Sequence, residues 1–171
     1  MSDNRQQYQN QLYCHFVTFS CHRRRNLLQP DPPKRILLGK LNQQLSRQAA
    51  ICAGFVVMPD HMHLLVWFPE TGQLSRFMQT WKRLSSHAIR KWWEENRQNY
   101  SMSVDLSEGI WTPKYFSFEI SEQQKLTEKL NYLHLNPVRA GLADRAVDWK
   151  WSSARWYEQQ RSVGVPIQWI D

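Results

Sequence analysis

The chain contains no run of eighteen apolar residues, which excludes a membrane-spanning helix. Cysteine is scarce: Cys14, Cys21 and Cys52 are odd in number and form no C-x-x-C pair, so a disulfide frame is not expected and reduced thiols in a cytosol are. A zinc site built from Cys52 and histidines fits no familiar ligand spacing. No glycine loop of the G-x-x-x-x-G-K type occurs, so nucleotide hydrolysis is not expected to drive any reaction, and no nucleotide cofactor is implied. Internal repeats and low-complexity tracts are also absent. The N-terminal residues, Met1 to Tyr8, show no charged-then-apolar leader, and the expectation is a soluble, cytoplasmic protein.

Acidic residues are few. Fifteen Asp and Glu stand against 22 Lys and Arg, a formal charge of +7, and residues 1–60 hold eight basic side chains against Asp3, Asp31 and Asp60 alone. A polyanion is the natural partner for such a surface. At 171 residues the chain suits a single domain, with 143–171 as an extension of it.

The stretch from Val56 to Phe68 organises the rest. Side chains alternate faces along a strand, so His61 and His63 share one face while Met62, Leu64, Val66 and Phe68 take the other and meet the core. Two imidazoles side by side on a strand make half of a divalent-metal site, although a pair of half-exposed histidines is the plainer reading of that spacing. Downstream, Ser121 and Gln124 have capping-box spacing and Leu126, Leu130 and Leu133 recur at helical intervals, predicting a helix from about Ser121 toward Asn136. Tyr132 and Asn136 then lie one turn apart on one face, beside Glu128 and Lys129.

Between these stretches the chain reads in order as follows. Residues 1–11 are polar and loose, and Leu12–Phe19 forms a first strand. The basic loop Arg23-Arg24-Arg25 follows. A helix begins at Asp31-Pro32-Pro33 with Leu37, Leu41, Leu45 and Ala49 inward. Residues 51–58 make a second, central strand. A second helix spans about Leu74 to Trp93, with Leu74, Phe77, Met78, Trp81, Leu84, Ala88, Ile89 and Trp92 as its core stripe and Arg76, Lys82, Arg83, His87, Arg90 and Lys91 as its basic face. Glu94 to Gly109 is polar and reads as a mobile loop. A fourth strand, Tyr115–Ile120, turns Phe116, Phe118 and Ile120 inward. The order β-α-β-β-α-β predicts an α+β fold of the ferredoxin-like, split β-α-β kind: an antiparallel sheet with two helices on one face, plus a C-terminal helix carrying Tyr132.

His61-Met62-His63 on a strand, with Tyr132 on a later helix and Asn-Pro-Val-Arg-Ala-Gly-Leu after it, resembles the single-tyrosine HUH endonucleases, most closely the REP-associated tyrosine transposases of bacteria. The resemblance extends from Tyr13-Cys14-His15-Phe16-Val17-Thr18 through Met58-Pro59-Asp60 and Trp111-Thr112-Pro113-Lys114-Tyr115-Phe116 to Asp148-Trp149-Lys150-Trp151-Ser152-Ser153. It implies Tyr132 as nucleophile, with His61, His63 and Asn136 as ligands of Mg²⁺ or Mn²⁺. The implied partner is single-stranded DNA carrying REP-like hairpins, cut and rejoined through a 5′-phosphotyrosine link in a protein associated with the bacterial nucleoid. The same resemblance leans to a monomer, with a homodimer as the alternative. Arg23, Arg24, Arg25, Lys82, Arg83 and Lys114 are the candidate DNA contacts. Two other classes compete: a ferredoxin-like nucleic-acid-binding module without catalysis, and a metal-dependent nuclease in which water attacks.

Overall fold

β3 (His61–Trp67) is the hub of a four-stranded sheet, pairing antiparallel with β1 (Cys14–Ser20) and with β2 (Ile51–Val57), while β1 also pairs antiparallel with β4 (Phe116–Ile120). The strand order is β2-β3-β1-β4. The chain connects them through α1 (Asp31–Arg47) and α2 (Gln73–Asn96), then continues into α3 (Gln123–Arg139) and the short α4 (Ala154–Gln159). This is the split β-α-β, ferredoxin-like arrangement. The computed structural model describes residues 14–100 and 104–171. The expectations for 1–11 and for Leu12 and Tyr13 lie outside these residues. Among the described residues no helix is long and apolar enough to cross a membrane.

The pleat divides the apolar residues into two cores. Below the sheet, Val17, Phe19, Phe55, Val57, Met62, Leu64 and Val66 pack against Leu37 and Leu41 of α1 and Phe77, Met78 and Trp81 of α2. Above it, Phe16, Ala53, Val56 and Leu65 pack against Leu126, Leu130 and Leu133 of α3. The tyrosine helix therefore sits on the face opposite α1 and α2, over the histidine side of β3. Gly54 permits that seating, because a Cβ there would lie 2.5 Å from Leu130 Cδ1 and 3.2 Å from Ser153 Oγ. Cys14, Cys21 and Cys52 are all buried free thiols, and burial pushes those of Cys21 and Cys52 up to about 12. Cys52 faces the lower core, away from the histidines.

Several elements differ from the sequence reading. β2 is an edge strand rather than a central one. Its apolar character has another cause: the C-terminal segment covers the edge, with Val57 N donating to Trp151 O at 2.8 Å, Ser153 N to Phe55 O at 3.0 Å and Gln168 N to Cys52 O at 3.0 Å. The α1 stripe ends at Leu45, since Ala49 lies beyond the helix at φ +50°. In α2 the fully buried positions are Phe77, Met78, Trp81, Ser85, Ile89 and Trp93, with Leu84 and Ala88 only half-buried. That helix runs on to Asn96 through the start of the expected loop. Beyond it Val104 and Ile110 are buried, and Arg90 donates to the carbonyls of Leu106 and Glu108.

No capping box forms at Ser121: α3 begins at Gln123, whose side chain donates to Ile170 O at 2.7 Å. The helix also passes through Pro137 to Arg139. It ends in a Schellman turn, with Leu142 N on Pro137 O at 2.9 Å, Gly141 N on Val138 O at 3.0 Å, and Gly141 at φ +74° in the left-handed region.

One buried polar contact joins α3 to the C-terminal segment. His134 Nε2 lies 2.7 Å from Ser153 Oγ, which also accepts from Phe55 N at 3.1 Å. Burial holds this imidazole down at about 4, against 6.5 when free. The unfolded chain thus binds the extra proton between those values, so stability is complete above about pH 6.5 and falls as pH drops toward 4. At pH 5 this site alone is expected to cost about 2 kcal/mol. Urea denaturation at pH 7 and pH 5 should show wild type losing more than His134→Gln by about that amount; equal losses would remove His134 as the cause.

Candidate active site

β3 presents His61 and His63 upward with their rings in edge contact, 4.9 Å between centroids. Each has its Nδ1 engaged within the protein. His61 Nδ1 donates to Asp60 Oδ1 at 2.6 Å, and the other oxygen of that carboxylate holds Arg24 Nε at 3.1 Å. His63 Nδ1 is 2.7 Å from Thr18 Oγ1, the residue opposite it on β1. With Nδ1–H donating in both, each Nε2 keeps its lone pair for an outside ligand, the arrangement by which partners orient metal-binding histidines. Burial lowers the basicity of both rings. His63 is pushed down to about 3, chiefly by burial and further by His61, Arg24, Arg139 and Lys129, while Asp60 partly offsets the effect at His61. The pair is neutral at pH 7, the protonation state a metal needs. The pair thus offers two nitrogen donors, and among the described residues no third His, Cys, Asp or Glu completes a cluster with them.

α3 brings Tyr132 to this pair. Its ring centroid lies 5.6 Å from that of His63 and 6.0 Å from that of Phe16, in edge-on geometry, and Phe16 itself stacks on His63 at 5.3 Å. Tyr132 is 44% exposed. Its surroundings are cationic: Lys129 Nζ is 5.7 Å and the Arg139 guanidinium carbon 4.7 Å from the ring centre. Pro137 has no N–H for Leu133 O one turn back, and beside that turn Arg139 Nη2 donates to the neighbouring carbonyl, Tyr132 O. Asn136 is half-buried on the same helix, one turn beyond Tyr132.

Two other tyrosines stand apart. Tyr115 packs against the lower core beneath Lys82, away from the histidine face. Tyr157 donates to Ala53 O, and burial pushes its hydroxyl above the ordinary tyrosine range.

The six basic candidates separate into three kinds. Arg25 is structural, donating to the carbonyls of His22, Asp105 and Gly109 at 3.0, 2.6 and 2.7 Å. Lys82 is half-buried and holds Thr112 O at 2.8 Å and Pro113 O at 3.3 Å, fixing the entry to β4. Arg24 sits against Asp60 and Ser20 at the rim of the histidine pair, and Arg23 pairs with Glu108 at 3.2 Å. Arg83 and Lys114 are exposed. Sequence reasoning gave no role to Thr18, Asp60 or Arg139, and named Lys129 only as a neighbour of Tyr132. The Asp60 signal lay in its position beside His61, and that of Arg139 in the Asn-Pro-Val-Arg-Ala-Gly run. The Thr18 contact depends on strand register.

An α+β domain whose sheet holds two oriented imidazoles beneath a tyrosine helix defines a composite histidine–tyrosine site. The sequence profile of the family described as "Transposase IS200 like" matches residues 8–136, and the chain belongs to that family. A Haemophilus influenzae protein provisionally named a REP-associated tyrosine transposase is 30% identical over 109 residues, 61% of this chain and 56% of that protein. The REP-associated tyrosine transposase of Escherichia coli K12 is 23% identical over 116 residues, covering 67% and 59%. The matches thus span a little over half the length of these curated relatives. Among solved structures, a REP-associated tyrosine transposase bound to a REP hairpin shares the fold at TM-score 0.68 and 20% identity, over 96% of this chain and 91% of that one. A provisionally assigned transposase from Deinococcus radiodurans aligns at TM-score 0.50 and 18% identity, over 71% and 88%.

The division of the basic residues can be tested by stability. Arg25→Ala is expected to lower the unfolding free energy by about 1–3 kcal/mol through its three lost carbonyl contacts. Arg83→Ala should stay within about 0.5 kcal/mol of wild type. Matching urea midpoints for the two variants would contradict the structural role of Arg25.

Proposed function

We propose that this chain is a single-stranded DNA strand transferase that cuts and rejoins strands near hairpin-forming sequences through a covalent bond to Tyr132. The observation that carries the reading is the meeting of His61, His63 and Tyr132, a strand pair and a helix residue about 70 residues apart in sequence, at a site flanked by Lys129, Arg139 and Arg24. The family membership and the REP-associated tyrosine transposases among its relatives support the same reading.

The chemistry is an exchange of one phosphodiester for another. Tyr132 Oη forms a bond to phosphorus, the P–O3′ bond breaks, the phenolic proton passes to the leaving 3′ oxygen, and a 5′-phosphotyrosine remains on the protein. A 3′-hydroxyl from another strand reverses the step and joins the strands. Free tyrosine titrates near about 10 and is a weak nucleophile at neutral pH, so the site must assist it. Lys129 and Arg139 place positive charge beside the ring, where the non-bridging phosphate oxygens would lie. Arg139 also fixes the helix turn from which Tyr132 projects. His61 and His63 would hold Mg²⁺ or Mn²⁺ through Nε2, with Asn136 as a further oxygen donor; when bound, the ion neutralises charge on the scissile phosphate. Asp60 and Thr18 keep the two rings in the ligand-ready orientation. Arg83, Lys114, Arg23 and Arg24 remain as contacts to the DNA backbone, and the charge of the whole chain favours the encounter.

Two tests follow. On a hairpin-bearing single strand with Mn²⁺, wild type is expected to yield a protein–DNA adduct that survives boiling in detergent, and Tyr132→Phe none. His61→Ala and His63→Ala should lose cleavage by at least about a hundredfold while their gel-shift affinity changes little. Cleavage without any adduct would assign the attack to water. Separately, Arg83→Ala and Lys114→Ala should each reduce the slope of log affinity against log salt by roughly 0.7, as expected for one phosphate contact on a single strand. Unchanged slopes would remove these side chains from the interface.

A further inference from the structure

β4 departs most informatively from its expected burial. Phe116 and Phe118 share a face with Ile120, as the alternation requires, yet Phe116 is 61% and Phe118 40% exposed while Ile120 is buried. The sheet register explains where they point. Phe118 lies opposite Phe16, and Phe116 opposite Thr18, which in turn lies opposite His63. Both rings therefore stand on the histidine face, in the same cross-strand rows as the site. Lys129 Nζ links them to the nucleophile, 5.3 Å from the Phe118 ring centre, 5.1 Å from Phe16 and 5.7 Å from Tyr132. The approach to β4 is held firmly: Lys82 grips the carbonyls of Thr112 and Pro113, and Thr112 N donates to Ser20 O at 2.9 Å. Two aromatic rings left in water at alternate positions of a rigid edge strand gain nothing for the core.

We propose that Phe116 and Phe118 form a stacking platform for the unpaired bases that flank the phosphate attacked by Tyr132, with Lys129 taking the intervening backbone phosphate. This rests on the strand-transfer reading above and adds a binding subsite to it. Three features select single-stranded DNA as the occupant. The platform is continuous with the Tyr132 pocket. Lys129 at the platform and Arg139 over the adjoining Tyr132 match a phosphate backbone, while the Asp60 carboxylate is already taken by His61 and Arg24. Exposed π-faces beside cations on a fixed strand take any base without reading its edge, so the platform holds the strand in register and leaves sequence choice to other contacts. Base-paired DNA cannot use it, because its π-faces are stacked on one another; the platform thus favours cleavage in an unpaired segment beside a hairpin.

The test uses the full chain and a hairpin oligonucleotide carrying 2-aminopurine at each position flanking the cleaved phosphate. Binding is measured with Tyr132→Phe protein, so that it does not depend on chemistry. Fluorescence quenching is expected at one or two flanking positions. It should be lost, with roughly tenfold or greater weakening of affinity, when Phe116→Ala is added, and be restored by Phe116→Trp. In the otherwise wild-type chain, Phe116→Ala should raise KM with little change in kcat, and an abasic nucleotide at the quenched position should cost wild type the same factor but cost Phe116→Ala nothing more. Circular dichroism checks that the variants fold. Quenching and affinity within twofold of the parent after Phe116→Ala and Phe118→Ala overturn the platform. So does a wild-type dimer, seen by sedimentation, that Phe116→Ala dissociates, since that face would then be an interface between copies. Absence of an adduct from wild type overturns the strand-transfer chemistry alone, because the binding arm is read without cleavage.

Discussion

The pairing of Thr18 on β1 with His63 on β3 ties the core to the site. One strand meets two demands: Met62, Leu64 and Val66 anchor the lower core against α1 and α2, and the intervening positions lift His61 and His63 to the other face. A one-residue slip of β1 against β3 would invert both at once, placing imidazoles in an apolar layer and leucines in the pocket. The register is thus secured by burial of the same residues that orient the histidines. The Thr18 and Asp60 contacts then fix each ring about its own axis.

The upper layer supplies the second half of the site, and its position depends on a close approach. Gly54 leaves room for Leu130 of α3, and His134 reaches through the same region to Ser153, so helix, edge strand and C-terminal segment lock together. Farther along the helix, the backbone departs from regularity close to Tyr132. Pro137 opens the hydrogen-bond ladder, Gly141 closes the helix in a left-handed turn, and Arg139 folds back onto the ring and carbonyl of Tyr132. The Asn-Pro-Val-Arg-Ala-Gly run is therefore a structural device for carrying a cation to the tyrosine.

Much of this was legible from period and punctuation. Alternation placed His61 and His63 together and opposite to Met62, Leu64 and Val66, and helical spacing placed Leu126, Leu130 and Leu133 beneath Tyr132. What escaped depended on distant chain. β2 looked central because its edge is covered by Trp151, Ser153 and Gln168, about a hundred residues later, and no local pattern separates that from a neighbouring strand. Arg25 and Lys82 were read as candidate DNA contacts, and only the folded loops reveal the carbonyls they satisfy. Phe116 and Phe118 were assigned to a core on alternation alone; they do share a face with Ile120, but only Ile120 is buried there and both rings are exposed.

The central claim is that Tyr132 is the residue that becomes joined to DNA. Its most direct measurement is peptide mapping by mass spectrometry of the adduct formed on a single-stranded hairpin substrate after protease digestion. The proposal predicts a phosphodiester on Tyr132 alone, in a peptide from α3, with Tyr115 and Tyr157 unmodified because one packs in the lower core and the other is bonded to Ala53. A nucleotide mass on Tyr115, Tyr157 or any other side chain would contradict the account.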